Sequence, residues 1–452
     1  MADRDLTGIL LVGGSSTRFG SPKALARLGG ETLAERAWRL LQATCAETIA
    51  VGKQADGLPL PFPILDDGSA VRAPIAGLVA GLRAARHPIA IVVPVDAPLL
   101  AARSLRALAA ACAEAAVPQT GPLPGAYRPE AALPVLERRL AEGRLALREA
   151  LTELETRVVE LDQWELSNVN TDADLAAARR RDGAAAAAVE AAAAHGLDDL
   201  EPRILSDWND TIVHLWPLPL VARVATSTLR DDAEAELALE VEVAREVAAR
   251  GGPALRPAAQ PPPGPHRSGG FVLTFWPFVD AVAGEPSPAE VASSLRELHD
   301  RLARGLALPP LARRLDRTEA LVADSGTVPA LPEDDRRFLA TALRDLRRRF
   351  EAFGLRERAL HGGPHSGNLL RSRDGLRWID LDTACRGPAE WDLAFLPDAA
   401  APLFPELDDD ALEVARLLVS ACVAVWCWAQ LGRAPEVDEA AHFHLRRLRE
   451  DL

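Results

Sequence analysis

The chain has 452 residues, 48% of them apolar and 26% charged, with a formal net charge of −14. That length suggests two or three domains, each able to bury a core, and the negative charge argues against a general binder of nucleic acid or anionic membranes. Cys45, Cys112, Cys385, Cys422 and Cys427 lack metal-ligand spacing, so no zinc site is indicated and free thiols in a reducing cytoplasm are expected.

The charged stretch Met1 to Leu6 leads directly into apolar sequence, so no signal peptide is expected and the protein reads as cytoplasmic. The first pattern is an apolar run from Gly8 to Val12, read as a buried strand. It runs into Gly13 and Gly14, then Arg18, Gly20 and Lys23, the outline of a phosphate cradle. Glycines bring backbone N–H groups close to an anion, and the two cations offset its charge. Lys23 and Lys53 are the only lysines; every other basic residue is arginine. A lysine kept in such a chain points to a contact that needs a compact ammonium.

Helical periodicity follows at Glu31 to Ala43, Ile75 to Ala85 and Arg103 to Ala116, with strand-like runs at Thr48 to Val51 and Ile89 to Val95. This alternation predicts a mostly parallel sheet covered by helices, with ligands at the carboxyl ends of its strands. The glycine loop and Asp96 both fall there. Asp96 is the best placed carboxylate for a hard cation and could equally cap a helix. Asp66 and Asp67 precede Ala73 to Leu78 and suit a base, a ribose, a metal or a turn, with the turn favoured for Asp67 beside Gly68. Asn168 to Asp172 reads as a metal site or a helix cap.

These residues together resemble the molybdenum-cofactor guanylyltransferases and their cytidylyl relatives, over about residues 7–180. The glycine loop, the segment from Asp66 to Leu78, Val95-Asp96-Ala97-Pro98 and Asn168-Val169-Asn170-Thr171 occur in that family's order. The resemblance implies a Rossmann-like nucleotidyltransferase domain over residues 1–180. Leu11, Val12, Gly13, Gly14, Lys23 and Asp66 would bind GTP or CTP, with Arg18 and Lys23 on the triphosphate. Asp96 would carry Mg²⁺, with Asn170 as an auxiliary ligand. It also implies a phosphorylated small-molecule acceptor, molybdopterin, and release of pyrophosphate. Ala73 and Val12 depart from the usual glycine and alanine, which touches the nucleoside pocket.

From Asp174 to His195 the chain is alanine-rich and reads as a helix closing the first domain, with residues 181–200 as a linker. Strand-like Thr211 to Leu215 and Pro219 to Ala225, a helix at Ala233 to Arg250 and a strand at Phe271 to Val279 suggest a small lobe over residues 201–280. A helical lobe is expected over residues 281–452. The apolar run Leu417 to Leu431 falls short of a membrane span and reads as a buried helix.

His361-Gly362-Gly363-Pro364-His365-Ser366-Gly367-Asn368 and Trp378-Ile379-Asp380-Leu381-Asp382 resemble the aminoglycoside phosphotransferase and choline kinase family over residues 201–452. That likeness implies an α+β, protein-kinase-like bilobal domain taking ATP, with Asn368 and Asp380 on Mg²⁺ and Arg223 paired to Glu240. Two departures stand out: Arg223 occupies the family's lysine position and Gly363 the position of its catalytic aspartate. Glycine has no group to accept a proton, so Asp382 or His365 would have to serve as base. His361, His299 and Asp392 read as structural. Three functions remain open: a nucleotidyltransferase with a second domain of little chemistry, a bifunctional kinase and nucleotidyltransferase, or a sensor with two retired sites. No nucleic acid or membrane partner is expected.

Overall fold

The computed structural model describes residues 5–13, 22–302 and 305–452, in two compact units, Met1–Gly183 and Ala184–Leu452. The first unit contains strands β1 (Leu6–Leu11), β2 (Arg27–Leu28), β3 (Glu31–Thr32), β4 (Glu47–Gly52), β5 (Ile64–Asp66), β6 (Ile89–Pro94), β7 (Ala115–Pro118), β8 (Gly125–Tyr127) and β9 (Thr156–Val159). Its helices are α1 (Leu33–Thr44), α2 (Pro74–Ala84), α3 (Ala102–Ala111), α4 (Pro129–Ala141), α5 (Leu147–Ala150) and the start of α6 (Asp172–Ala193).

Seven strands form one sheet in the order β5-β4-β1-β6-β8-β7-β9. All neighbours are parallel except the two pairs made by β8. All six residues of β1 are buried, because helices cover both of its faces. Ile9 and Leu11 meet Ile75, Leu78 and Leu82 of α2, while Leu6 and Leu10 meet Ala34, Ala37 and Leu41 of α1. Gly81 lets α2 lie against the sheet: a Cβ there would sit 2.6 Å from Ile9 Cγ2. α1 opens with a capping box between Thr32 and Glu35.

One expected helix is corrected. The run Arg103 to Ala116 is helical only to Ala111, and Ala115 and Ala116 belong to β7. The N–H groups of Glu114 and Ala115 bond to Glu155 O at 3.1 and 3.2 Å, and both alanines are fully buried in the sheet. Tertiary pairing overrides alanine's helix propensity here.

The second unit adds β10 (Glu201–Asp207), β11 (Thr211–Trp216), β12 (Leu220–Val224), α7 (Ala233–Ala249), β13 (His266–Ser268), β14 (Phe271–Pro277), α8 (Pro288–Leu302), α9 (Leu311–Ala323) and α10 (Glu333–Ala352). There follow β15 (Glu357–Leu360), β16 (Leu369–Ser372), β17 (Gly375–Trp378), β18 (Cys385–Pro388), α11 (Ala389–Leu393), α12 (Asp409–Trp428) and α13 (Pro435–Asp451). β10 to β14 make an antiparallel sheet in the order β10-β11-β12-β14-β13. Val221 and Trp276 face α7 on one side. Ala222, Val224 and Phe275 face the other side, where Ala184, Ala187, Ala188, Ala191 and Ala192 of α6 pack against them.

The alanine-rich stretch read as a linker is therefore core-forming over this part of its length. Small side chains let the helix approach the sheet closely, a role that propensity alone does not reveal. α12 is the one described helix long and apolar enough to cross a membrane, and two-thirds of its apolar window is buried in the second unit's core, against α9, α10 and α13.

Candidate active sites

In the first unit, β1 and β6 lie side by side and deliver Gly13 and Asp96 at their carboxyl ends. A third segment reaches the same place. Val169 N–H donates to Asp96 O at 2.8 Å, which fixes Asn170 beside it. Thr171 and Asp174 cap α6: Asp174 N–H donates to Thr171 Oγ1, and Asp174 Oδ2 accepts from the N–H groups of Asn170 and Thr171. The cap thus belongs to Thr171, and the Asn170 side chain is released for another partner.

That partner is Lys23. Its Nζ donates to Asn170 Oδ1 at 2.6 Å and lies 3.8 Å from Asp96 Oδ2. Burial raises the Asp96 carboxyl above its usual range, with the Lys23 ammonium pulling the other way. Lys23, Asp96 and Asn170, drawn from distant points in the chain, converge as the sequence motifs suggest. Gly14 and Arg18 lie outside the described residues. Leu11 and Val12 are buried in the core and Gly13 is exposed at the strand's end.

Asp66 is exposed, and its two carboxylate oxygens accept Gln54 N–H at 2.7 Å and Gly68 N–H at 2.8 Å. Those bonds hold its pKa below the usual range. Lys53, the other lysine, pairs with Asp67 at 2.6 Å and donates to Ser69 O. Lys53 therefore pins the loop after β5, a role the sequence did not disclose. Tyr127 is 1% exposed and donates to Pro122 O at 2.6 Å, so it packs.

The second unit's site is built differently. Arg223 on β12 donates to Asp210 at 2.8 Å, to Glu240 on α7 at 2.5 Å and to Asp382 at 3.1 Å, and it also pairs with Asp380. Arg230 contacts Asp382 at 2.7 Å and Asp210. With Glu236, which pairs with Arg230 at 2.7 Å, two guanidiniums thus face five carboxylates, an excess of negative charge in a largely buried setting. The effect divides the acids. The two arginines hold Asp210 down to about 2 despite its burial. Burial, opposed by Arg223 but reinforced by Asp382 and Asp380, pushes Glu240 up to about 8.

Arg223 and Glu240 pair as the sequence suggests. Asn368 Nδ2 donates to Gly363 O at 2.9 Å and reaches Asp380 Oδ2 at 3.3 Å, so Asn368 and Asp380 also meet. Asp380 holds a left-handed backbone, φ 64°, uncommon for a residue other than glycine.

One candidate base is corrected, and His361 is structural as expected. Asp382 is engaged by both arginines and is not poised to take a proton from an acceptor. His361 is fully buried, its Nε2 is 3.0 Å from Ile379 O, and burial pushes its pKa down to about 4, so it serves as a structural ring. His365 is exposed, with Nδ1 accepting Gly367 N–H at 3.1 Å. Asp392 accepts the N–H groups of His361 and Gly362, each at 2.8 Å, and lies 2.8 Å from His299 Nε2. His299 and Asp392 thus fix the loop rather than react.

Sequence reading missed Asp210, Arg230 and Arg314. Arg314 on α9 stacks over Trp426, 4.3 Å from the ring centroid. Its Nη2 would stand 3.8 Å from a Cβ built on Gly363. Only the charge of these residues was visible beforehand, and no local pattern connects them to the loops they meet.

Among the described residues no cluster of three or more His, Cys, Asp or Glu forms a metal centre. The donors nevertheless suit Mg²⁺, which is held by one or two carboxylates together with substrate phosphates. Asp96 supplies such a carboxylate, half-buried and flanked by the Asn170 amide oxygen. In the second unit, buried Asp382 Oδ1 and Glu240 Oε2 have no hydrogen-bond partner, which suits a cation beside Asp380 and Asn368.

The first unit is an α/β nucleotidyltransferase domain and the second is kinase-like, as the family matches show. The model of the MobA-like NTP transferase domain matches residues 8–158, and that of the phosphotransferase enzyme family matches residues 201–426. The chain is 34% identical over 190 residues to a probable molybdenum cofactor guanylyltransferase of Chloroflexus aggregans, spanning 38% of this chain and 91% of that protein. It is 34% identical over 196 residues to the molybdenum cofactor guanylyltransferase of Burkholderia ambifaria, spanning 39% and 96%. A choline kinase structure from Streptococcus pneumoniae aligns with 56% of this chain and 92% of its own, with a TM-score of 0.41 and 12% identity. The chain belongs to the MobA-like NTP transferases through its first domain and to the phosphotransferase enzyme family through its second.

Proposed function

We propose that the first domain transfers GMP from GTP to the phosphate of molybdopterin and releases pyrophosphate. The observation that carries this reading is the convergence of Lys23, Asp96 and Asn170 at the ends of β1 and β6. The names of the relatives support guanylyl transfer. The acceptor phosphate is already an anion, so it attacks the α-phosphorus without a protein base, and pyrophosphate leaves from the opposite side. Lys23 meets the charge that develops on the leaving group. Asp96 and Asn170 would hold Mg²⁺, which supplies further neutralisation of phosphate charge when bound.

The second domain, on this reading, takes ATP beneath β10 to β12, where Arg223 and Glu240 stand in for the usual lysine and glutamate. The test is a pyrophosphate-release assay on the full chain with molybdopterin and either GTP or CTP. Release from GTP alone supports the reading, release from CTP alone makes the product the cytidylyl form, and release from neither overturns it.

A further inference from the structure

Gly363 is buried at the position where a kinase-like loop would carry a base, and a side chain there would have room. A Cβ would meet nothing closer than Thr383 Oγ1 at 3.7 Å and Arg314 Nη2 at 3.8 Å. The place is therefore neither crowded nor conformationally reserved for glycine. What changes is its charge: a carboxylate is missing and a guanidinium lies alongside.

Arg314 is itself unusual. No ion pair to a carboxylate is seen for it among the described residues, and its buried Nη1 has no hydrogen-bond partner. Its ring neighbour Trp426 is held by a bond from Nε1 to Thr318 Oγ1 at 2.9 Å, and Thr318 Oγ1 donates in turn to Arg314 O at 2.9 Å. The guanidinium is thus held in place by stacking while its hydrogen-bonding capacity stays open. Arg314 is half-buried, so Nη1 is shut off from water without a partner while the rest of the fork can still be reached, and a planar fork of N–H groups is matched by the paired oxygens of a carboxylate or phosphate.

We propose that the acceptor of the second domain is an oxyanion, a phosphate monoester or a carboxylate, held by Arg314 beside Gly363. This rests on the reading of that domain as an ATP site. An alcohol must lose a proton as it attacks, which is why a base is useful; an ionised phosphate or carboxylate has none to lose. One of its oxygens forms a bond to the γ-phosphorus of ATP. The bond from that phosphorus to the β,γ-bridging oxygen breaks, and ADP leaves with the electron pair. The products are a diphosphate or an acyl phosphate plus ADP. Loss of the aspartate and exposure of the arginine then belong to one change of acceptor class.

The test uses the full chain and two readouts. Inorganic phosphate and, separately, acetate are titrated against thermal stability in the wild type, R314Q and G363D. Saturable stabilisation by phosphate marks the monoester class and by acetate the carboxylate class, and the affinity falls at least tenfold in R314Q. G363D, which sets a carboxylate beside the guanidinium, gives a similar loss. ADP release from ATP is then followed with phenyl phosphate, benzoate or benzyl alcohol added, and only the anion of the class found first stimulates it. Equal anion responses in the wild type and R314Q, including none in either, overturn the proposal, as does stimulation by the alcohol alone. Arg314-dependent anion binding without ADP release overturns the transfer step, and neither result bears on pyrophosphate release by the first domain.

Discussion

The two sites arrange charge in opposite ways. Among the described residues of the first domain, the Lys23 ammonium lies 3.8 Å from the Asp96 carboxylate, with side chains 18% and 29% exposed, and donates to Asn170. In the second, Arg223, Arg230, Asp210, Glu240 and Asp382 have side chains no more than 8% exposed and pair with one another, with only Asp382 Oδ1 and Glu240 Oε2 among their carboxylate oxygens left without a partner. A half-wet ion pair is screened by water, so losing one partner costs the fold little. A dense, dry network commits its partners to the fold, because a buried charge without its partner costs far more than a surface one. Substitutions should therefore hurt chemistry in the first domain and stability in the second.

The largest expected effect follows from Asp96. In Asp96→Asn, pyrophosphate release should fall at least ~10³-fold, as when a group acting on transition-state charge is removed. The melting temperature should not drop, because burial already disfavours the ionised carboxyl. Retained turnover would break the assignment of this site. Arg223→Met should do the reverse. It leaves Asp210, Glu240, Asp380 and Asp382 without their shared guanidinium, at a cost on the order of 3–5 kcal/mol in denaturant unfolding of the second domain. Pyrophosphate release should persist. A stable Arg223→Met variant would show that the network is not what holds the small lobe.

Much of this contrast was legible in the sequence, though unevenly. Lys23, Asp96 and Asn170 sit in motifs whose chemistry is local, and the strand-to-loop pattern put Asp96 at the carboxyl end of its strand, while Gly14 and Arg18 of the glycine loop lie outside the described residues. Gly363 and Arg223 were visible as departures because each falls inside a recognisable run. What escaped notice depends on long-range packing. Ala184 to Ala192 reads as a linker until a sheet is placed against it, and Ala115 and Ala116 read as helix until Glu155 pairs with their strand. Lys53 drew attention for the same scarcity as Lys23 and proved to be a loop pin. Arg314 and Arg230 lie in arginine-rich stretches where no one residue stands out.

Lys23→Gln sharpens the first half of the comparison. Glutamine can still bond to Asn170 but carries no charge, so pyrophosphate release should drop about 10²-fold, less than for Asp96→Asn, at unchanged stability. A loss shared equally between turnover and melting temperature would mean that Lys23 acts as a structural tie between the loop and Asn170.

The smallest effect tests the second half and lies in the pH dependence of stability. Burial, with Asp382 and Asp380 beside it, pushes Glu240 up to about 8 in the folded chain, whereas an unfolded glutamate titrates near ~4.3. Between those values the folded state binds a proton that the unfolded state has released, so this group makes stability fall as pH rises, and its influence levels off above about 8. Asp210 has the opposite sign, since its depressed pKa gives stability that is complete above ~3.9 and lost as pH falls toward about 2. Glu240→Gln removes the first contribution alone. Its melting temperature should vary less between pH 5 and pH 8, roughly the interval set by those pKa values, than that of the parent, while acid unfolding near pH 2 to 4 is unchanged. Identical profiles for variant and parent would place the buried proton elsewhere, on Asp382, whose carboxyl is likewise raised by burial and by Asp380 against the pull of Arg223.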